Sequence, residues 1–260
     1  MTTPVNHKTT AAVEQYFSGH AQDYSQLFLQ KRSGCNFTFR ERLNLATAIA
    51  RELSGNLLDC ACGSGEITSA ILSSGRFTRA TIVDLSPRML EVTKELLRKE
   101  PPRVRDVEIE FRCADIFQYC HQRQSGPFDL ILCLGLIAHT GQLDKLLGGL
   151  KMLLSPKGKI LLQSSLLDHA GTKVVRVLTS GRYRRRHGYS ISYFRHRDIL
   201  QTAQAAGLEA VAVQRFAFAF PFGDRLSAEI NYRLERLMQV WANSHGAEAL
   251  YLLQSTAPKR

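Results

Sequence analysis

The feature that most constrains the fold is the stretch Leu57–Thr68, which reads LLDCACGSGEIT. An apolar run ends at Asp59, small residues follow at 61, 63 and 65, and a helical pattern begins directly afterwards. Small residues let a backbone turn sharply beneath a ligand, and the N-terminus of the following helix favours the negative end of that ligand. The stretch therefore predicts a strand, a tight ligand-binding turn and a helix, in that order.

Two other interpretations of this stretch use fewer of its residues. A zinc site needs four ligands, and Cys60 and Cys62 have no nearby pair of Cys or His to complete the set. A dinucleotide-binding loop needs a third small residue where this chain has Thr68. We therefore predict no metal site and only a partial fit to a dinucleotide loop.

Apolar strand patterns alternate with helical patterns around this loop. Strands are predicted at 56–60, 80–84, 107–113, 128–134 and 159–164, and helices at 39–53, 67–73, 86–99 and 143–154. This order predicts a parallel sheet that is covered by helices on both faces. In such sheets, ligands bind at the carboxyl ends of the strands.

The last part of the chain follows a different pattern. It predicts a helix at 196–206, a long strand at 208–220, an amphipathic helix at 224–243 and a final strand at 249–255. The apolar stripe of the amphipathic helix consists of Leu226, Ile230, Leu234, Leu237, Met238 and Trp241. Four phenylalanines, Phe216, Phe218, Phe220 and Phe222, would share one face of the long strand. Core packing explains these rings most simply, and an apolar wall for a hydrophobic ligand or a membrane-facing patch is the alternative.

Five motifs in order resemble one enzyme family. Asp59, Ala61, Gly63 and Gly65 have the spacing of the D-x-G-x-G-x-G loop of class I S-adenosylmethionine-dependent methyltransferases, with Ala61 in place of the first glycine. The other motifs are Asp84 at the end of the second strand, Ala114-Asp115-Ile116 after the third, FDLIL at 128–132 and LLSPKGK at 153–159. The resemblance covers about Thr9 to Ser164 and is to small-molecule enzymes of the quinone-biosynthesis type.

The resemblance implies a Rossmann-like α/β fold. Its seven-stranded sheet would be mostly parallel, with helices on both faces, an antiparallel final strand and an N-terminal helical lid. We expect residues 1–54 to form the lid and the first flanking helix, and 55–165 the cofactor-binding half. Residues 166–260 would form an acceptor-binding insertion at about 168–197 and the C-terminal half of the same domain.

The resemblance also implies a cofactor, S-adenosylmethionine, with S-adenosylhomocysteine as the product. Asp84 would accept hydrogen bonds from both ribose hydroxyls, Leu85 and Met89 would flank the adenine, and Asp115 and Ile116 would hold its amino group and face. The full set of implied cofactor residues is Tyr16, Tyr24, Asp59, Ala61, Cys62, Gly63, Ser64, Gly65, Asp84, Leu85, Met89, Ala114, Asp115, Ile116 and Leu134. Two alternatives, in which these residues have only structural roles, stay open. Asp59 could bind backbone amides of the loop, and Leu85, Met89 and Ile116 could be ordinary core residues.

The N-terminal segment carries the pattern Y-F-x-x-x-A-x-x-Y, from Tyr16-Phe17 to Ala21 and Tyr24. It resembles the cap helix that closes over the cofactor in small-molecule methyltransferases. Tyr16 and Tyr24 are therefore expected to contact the cofactor or the acceptor. The alternative is that these aromatic side chains only pack the helix onto the domain.

Histidines are the candidate catalytic groups, because an oxygen acceptor must lose its proton during methyl transfer. His139 follows the fourth strand at the carboxyl edge of the sheet, so it is the first candidate for a base or an acceptor contact. A histidine that only packs the pocket is the alternative. His187 and His196 are the next candidates, and a surface role is favoured for each.

The excess positive charge is concentrated in one segment. The chain carries a net charge of +11, and the segment from Lys173 to Arg197 contains eight Lys or Arg and no Asp or Glu. Arginines interleaved with tyrosines suit an anion such as a phosphate, a carboxylate, a lipid head group or nucleic acid. The predicted acceptor-binding residues are Arg182, Arg186, His187 and Tyr189. A solvated basic loop is the alternative interpretation.

The composition adds limits on class and location. The N-terminus lacks the apolar core of a signal peptide, and the longest apolar run is far below the roughly 20 residues of a membrane span. We therefore expect a cytoplasmic protein whose six cysteines are reduced thiols. Peripheral membrane contact and the oligomeric state stay open.

The leading functional prediction is a methyltransferase for a small-molecule, sugar-containing or lipid-like acceptor that is anionic or amphiphilic. Oxygen is slightly favoured as the acceptor atom. One alternative is an RNA methyltransferase, although the chain has no appended RNA-binding module and no Asn/Asp-Pro-Pro-Tyr motif after the fourth strand. The other alternative is a protein that binds the cofactor without catalysis.

Overall fold

The computed structural model describes residues 7–26, 35–122, 126–219 and 226–256, without the side chains at 7–9, 35, 175 and 178–183. Seven strands form one sheet: β1 (Ser54–Asp59), β2 (Arg76–Asp84), β3 (Glu108–Cys113), β4 (Phe128–Cys133), β5 (Leu154–Ser165), β6 (Leu208–Phe216) and β7 (Glu248–Ser255). Their order is β3-β2-β1-β4-β5-β7-β6. Neighbours from β3 to β5 are parallel, and β7 is antiparallel to both β5 and β6. The predicted sheet and its antiparallel final strand are confirmed.

Twelve helices are present in the described ranges. They are α1 (His7–His20), α2 (Cys35–Ala50), α3 (Glu66–Ser74), α4 (Pro87–Arg98), α5 (Pro102–Arg105), α6 (Ile116–Gln122), α7 (Ile137–Thr140), α8 (Leu143–Leu153), α9 (Ala170–His187), α10 (His196–Ala205), α11 (Ala228–Leu237) and α12 (Gln239–His245). None of the described helices is both long and apolar enough to cross a bilayer.

Two apolar cores lie on the two faces of the sheet. Adjacent residues of a central strand enter different cores, as Leu57 and Leu58 of β1 do, because side chains alternate along a strand. One core includes residues of α6, α8 and α10, and the other includes residues of α2, α3 and α4. Helices therefore cover both faces, as the sequence predicts.

The strand order reverses between β1 and β4, which places a crevice at their carboxyl ends. Asp59 ends β1 and pairs with Leu132 of β4, and the amide of Cys60 donates to the carbonyl of Leu132 at 3.0 Å. The next strand outward, β2, ends at Asp84. The sheet thus brings the residues around Asp59 and Asp84 to one edge.

The start of α4 follows directly from its sequence. Ser86 caps the helix by accepting a hydrogen bond from the amide of Met89 at 3.2 Å, and Pro87 occupies the first helical position. The hydroxyl of Ser86 also lies 2.7 Å from that of Ser18 on α1. This contact fixes α1 to the cap of α4, beside the carboxyl end of β2.

Strand β5 begins at Leu154, five residues before the predicted start at Lys159. The helix predicted at 143–154 ends at Leu153, and the Ser-Pro-Lys-Gly segment that follows is already extended. Leu154 pairs with Phe128 of β4, and Ser155 donates to a carboxylate oxygen of Asp129 at 2.7 Å. These cross-strand contacts hold the segment against β4.

Strand β6 is shorter than predicted, because it ends at Phe216 and not at residue 220. Ala217 and Ala219 have positive φ angles of 61° and 54°, which no strand accommodates. Phe216 is buried in the core, whereas Phe218 lies beyond the strand, so the shared face predicted for these rings is wrong. Phe220 and Phe222 lie outside the described residues.

The single amphipathic helix predicted at 224–243 is also wrong in two respects. It breaks at Met238 into α11 and α12, and the orientation of α11 is reversed. Asn231 and Glu235 are buried, at 2% and 3% exposure, whereas Leu237 and Trp241 are 75% and 64% exposed. The carboxylate of Glu235 accepts a hydrogen bond from the amide of Phe218 at 2.6 Å, which requires the polar side of α11 to face inward.

The basic segment after β5 is a helix over most of its length. His169 caps α9 by accepting from the amide of Thr172 at 3.2 Å, and Gly188 ends the helix with a φ of 75°. A Cβ at Gly188 would lie 3.3 Å from the Cβ of Ala12, so this end of α9 packs against α1. The lid helix thus lies between α4 and α9.

Candidate active site

The loop between β1 and α3 depends on two glycines. Gly63 and Gly65 have φ angles of 55° and 88°, in the left-handed region that favours glycine. A Cβ at Gly65 would lie only 2.7 Å from the side chain of Thr93 on α4. The turn is therefore closed to larger residues both by its backbone conformation and by close packing.

Asp59 holds this loop to the sheet and to the helix that follows. Its carboxylate accepts hydrogen bonds from the amide of Ala61 at 3.3 Å and from the hydroxyl of Thr68. Burial raises the pKa of Asp59 to about 6, although both hydrogen bonds lower it. These contacts support the interpretation that Asp59 ties down the loop, and they explain why a threonine occupies position 68.

Asp84 faces the same loop from the end of β2. One carboxylate oxygen accepts from the amide of Ser86 at 2.9 Å, and the other accepts from the amide of Gly63 at 3.1 Å. Burial raises the pKa of Asp84. The oxygen that accepts from Gly63 also lies 3.7 Å from the thiol of Cys62, a weak donor that a ligand hydroxyl can replace.

Cys62 and Ser64 make contacts within the loop. The thiol of Cys62 lies 3.3 Å from the hydroxyl of Thr93 and 3.7 Å from Asp84, and burial raises its pKa. Ser64 is buried and donates to the carboxylate of Glu66. A neutral, enclosed thiol is a poor nucleophile, so the loop is suited to binding and not to covalent chemistry.

The expected adenine-binding residues lie at the ends of β2 and β3. Leu85 and Ala114 are half-buried, and the amide of Ala114 donates to the carbonyl of Asp84 at 3.1 Å. Asp115 is also half-buried and accepts from the amide of Phe117 at 2.8 Å. Met89 and Ile116 are buried, and Ile116 belongs to one apolar core. The alternative that Ile116 is only a core residue therefore stays open.

Tyr24 covers the glycine loop from the N-terminal segment. Its ring lies 3.5 Å from the position that a Cβ on Gly63 would occupy. Burial raises the pKa of Tyr24 to about 12, and the charge of Arg42 lowers it by a smaller amount. Leu134, at the end of β4, is half-buried against the same core as Ile67 of α3.

An aromatic cluster joins three distant parts of the chain, and we use the term for Tyr16, Phe17, His139, His187 and Tyr189. The ring centroids of Tyr16 and His187 are 4.8 Å apart, and those of Phe17 and His139 are 4.9 Å apart. His139 and Tyr189 are 5.7 Å apart. The structure therefore brings four residues predicted for the site together with Phe17.

His139 is neutral at ordinary pH, because burial lowers its pKa to about 4. Its Nδ1 is buried and has no hydrogen-bond partner among the described residues. A neutral imidazole nitrogen without a partner can accept a proton or a hydrogen bond from a bound molecule. His139 is thus the group of the aromatic cluster best suited to contact an acceptor hydroxyl.

The other predicted acceptor residues are divided between two places. Arg186 is exposed in the last turn of α9, beside the clustered His187, and the side chain of Arg182 lies outside the described residues. His196 lies away from the site: its Nδ1 is 2.9 Å from the hydroxyl of Tyr251, and its amide donates to Asp168. These contacts favour a structural role for His196.

Arg42 is a residue of the site that sequence reasoning missed. Its Nη1 lies 3.2 Å from the position of a Cβ on Gly135, just beyond β4, and donates to the side-chain oxygen of Gln163 at 3.0 Å. Its Nε is buried without a hydrogen-bond partner in the described part of the chain. The charge of Arg42 also lowers the pKa of Asp59, by less than burial raises it. The sequence gives little sign of this role, because Arg42 appears there only as a charged residue on an amphipathic helix that precedes the glycine loop.

Across the described ranges, no group of three or more His, Cys, Asp or Glu could hold a metal ion. Cys60, Cys120 and Cys133 lie together in one apolar core, where burial raises the pKa of each thiol. Neutral buried thiols are poor metal ligands, because binding requires the thiolate.

Comparison with known proteins supports one family. A family model described as "Methyltransferase domain" matches residues 31–213. A demethylmenaquinone methyltransferase of Leptospira interrogans is 30% identical over 120 residues, which are 45% of this chain and 47% of that protein. A ubiquinone biosynthesis O-methyltransferase of Coxiella burnetii is 24% identical over 166 residues, 61% of this chain and 65% of that protein. The chain spans about half the length of the first of these curated relatives.

Solved structures share the fold at low sequence identity. The 1,6-didemethyltoxoflavin-N1-methyltransferase of Burkholderia thailandensis aligns with a TM-score of 0.61 and 17% identity, over 99% of this chain and 94% of that one. The magnesium protoporphyrin IX methyltransferase of Synechocystis aligns with a TM-score of 0.64 and 13% identity, over 95% of this chain and 100% of that one. The family model matches well over half of the residues of this chain, and the chain therefore belongs to the methyltransferase-domain family.

Proposed function

We propose that the protein is an S-adenosylmethionine-dependent methyltransferase that acts on a small-molecule acceptor. The observation that carries the proposal is the convergence of the glycine loop, the carboxylate of Asp84 and the ring of Tyr24 at the carboxyl edge of the sheet. Both structural neighbours described above were solved with S-adenosylhomocysteine bound. We also propose that residues 55–165 form the cofactor-binding half and that an acceptor-binding part lies within 166–260.

The residues of the crevice fit the parts of this cofactor. Asp84 would accept from the ribose hydroxyls, and Leu85, Met89, Asp115 and Ile116 would surround the adenine. The glycine loop and the start of α3 would face the methionine carboxylate. The unpartnered Nε of Arg42 would donate a hydrogen bond to the same carboxylate. When bound, the cofactor supplies a methyl group that is already activated by the positive charge on sulfur.

The chain itself would contribute alignment, exclusion of water and acceptance of a proton. Alignment in a near-attack geometry is worth up to about 7 to 11 kcal/mol of the barrier. Tyr24 covers the glycine loop and Tyr16 belongs to the aromatic cluster, so the N-terminal segment would exclude water from the space between them. His139 would take the proton of an acceptor hydroxyl at its free Nδ1, and for this reason we favour oxygen as the acceptor atom.

The aromatic cluster and the end of α9 suggest the class of acceptor. The rings come from α1, from α7, from the end of α9 and from Tyr189 just after it, and they suit a flat or apolar group that can stack against them. Arg184, Arg185 and Arg186 are exposed in the adjacent last turn of α9. We therefore propose an acceptor with an aromatic or amphiphilic body and a negative charge.

Two measurements test the proposal. We expect calorimetric titration to show one S-adenosylhomocysteine bound per chain, and we expect radiolabelled methyl transfer to a panel of hydroxylated aromatic acids but not to their fully methylated forms. Binding without transfer to any acceptor would favour a protein that has lost catalysis. Absence of cofactor binding would contradict the proposal.

RNA is the second candidate acceptor, and the exposed cations of α9 are the observation that favours it. Lys173, Arg176 and the three arginines of the last turn lie along one helix. Binding of RNA through these groups would weaken steeply with salt, because phosphate contacts release counterions. Methyl incorporation into RNA at physiological salt would place this candidate first.

A further inference from the structure

A chain of hydrogen-bonded polar groups, with Gln163 buried and the others half-buried, connects Arg42 on α2 to Glu248 on β7. The carboxylate of Glu248 on β7 accepts from the hydroxyl of Ser165 at 2.6 Å and from the side-chain amide of Gln163. The oxygen of that same amide accepts from Nη1 of Arg42 at 3.0 Å. Gln163 is 4% exposed, so this bridge is shielded from water.

The donors and acceptors in this series of hydrogen bonds allow only one orientation of the Gln163 amide. A guanidinium only donates hydrogen bonds, a carboxylate only accepts them, and an amide does both. Gln163 must therefore present its NH₂ group to Glu248 and its oxygen to Arg42. Glu248 fixes the orientation of Gln163, and Gln163 fixes one edge of the guanidinium.

Fixing that edge matters because arginine has a long side chain with many rotamers. A free side chain of this kind loses conformational entropy when it is immobilised by a ligand. A guanidinium that is already held avoids part of this loss and offers its remaining N–H groups in a fixed geometry. The unpartnered Nε of Arg42 is one of these groups.

We propose that Gln163 and Glu248 are positioning residues that orient Arg42 to bind the methionine carboxylate of the cofactor. This inference rests on the proposed function. Arg42 lies beside Gly135, just beyond the carboxyl end of β4, whereas the aromatic cluster would hold the proposed acceptor. Neither Gln163 nor Glu248 touches the cofactor in this account, because they act through Arg42.

The test compares two ligands that differ at the carboxylate. S-adenosylhomocysteine carries the amino-acid group, and 5′-methylthioadenosine keeps the nucleoside and the thioether without it. We expect Gln163→Leu to weaken the calorimetric affinity for S-adenosylhomocysteine by about tenfold, the scale of one hydrogen bond to a charged group. The affinity for 5′-methylthioadenosine should change by less than about twofold.

The chain offers a matched control for this substitution. Gln254 on β7 donates to the carboxylate of Glu209 at 2.8 Å, which is the same kind of cross-strand bond far from Arg42. Gln254→Leu should leave both affinities unchanged. Combining Arg42→Met with Gln163→Leu should weaken S-adenosylhomocysteine no more than Arg42→Met alone, because the two residues act as one unit.

Each outcome separates this inference from the proposed function. If the unmodified protein does not bind S-adenosylhomocysteine, the proposed function fails, and the inference fails with it. If the protein binds but Gln163→Leu weakens both ligands equally, or neither, only the positioning role is overturned. If Gln163→Leu does not fold, Glu248→Gln gives the same comparison, since it lets the Gln163 amide reverse and face Arg42 with donors.

Discussion

The two halves of the site are built by contacts of different range. In the cofactor half, Asp59 binds the amide of Ala61, and Asp84 binds the amide of Ser86, two residues further along the chain in each case. In the acceptor half, Tyr16 meets His187, and Phe17 meets His139, although more than a hundred residues separate the members of each pair. Bonds within local turns contribute to the first half beside longer-range contacts such as that of Asp84 with Gly63, whereas the ring contacts of the second half all join distant segments.

This difference explains what the sequence could predict. The glycines at 63 and 65, the aspartates that end β1 and β2, and the cap at Ser86 each leave a local pattern, because each serves a neighbouring backbone group. The order of strands and helices has the same local character, so the sheet and its covering helices were predictable.

The remaining features have no local signal. The outward position of Leu237 accompanies a bond between Glu235 and the amide of Phe218, which no pattern within α11 reveals. The role of Arg42 depends on Gln163, which lies 121 residues away. The early end of β6 depends on the backbone at Ala217, where a positive φ is unexpected for alanine.

The largest effect is expected in the cofactor half. Gly65→Val should reduce the affinity for S-adenosylhomocysteine at least about a hundredfold, because it adds a clash with Thr93 to a backbone at φ 88°. Gly148→Ala is the control, since no atom lies within 4 Å of its added Cβ. Calorimetric titration checks both variants, and an unchanged affinity in Gly65→Val would break the claim that this loop is closed to side chains.

The next effect concerns the acceptor half. His139→Ala should lower kcat by about a hundredfold or more, the usual contribution of a proton-accepting group. The affinity for S-adenosylhomocysteine should stay within about twofold of the original value, because the histidine lies on the acceptor side. Near-normal turnover would show that His139 only packs the pocket.

A smaller effect should appear in the dependence of stability on pH. The folded-state pKa of His139 is lowered to about 4, so between about pH 6.5 and 4 the unfolded chain binds a proton that the folded chain does not. Its contribution to stability is therefore present above that range and is lost as the pH falls through it. Urea unfolding from pH 7 to 4.5 should show a weaker fall in His139→Leu than in the unmodified protein, and parallel curves would contradict the assignment.

The smallest effect tests the outward positions of Leu237 on α11 and Trp241 on α12. Leu237→Gln and Trp241→Gln should each change the free energy of unfolding by less than about 0.5 kcal/mol, because both side chains are exposed. Leu208→Ala, a buried change on β6, should cost about 2 to 5 kcal/mol and serves as the contrast. A loss from Trp241→Gln comparable to that of Leu208→Ala would show that the apolar side of this region packs inward after all.

The central claim is that the crevice between the glycine loop and Asp84 holds the cofactor. The most direct measurement is calorimetric titration of S-adenosylhomocysteine into the unmodified protein and into Asp84→Asn. We expect one site per chain and an affinity about ten to a hundred times weaker in the variant, because one acceptor for the ribose hydroxyls is replaced by a donor. No binding by the unmodified protein, or equal affinities for the two proteins, would contradict the claim.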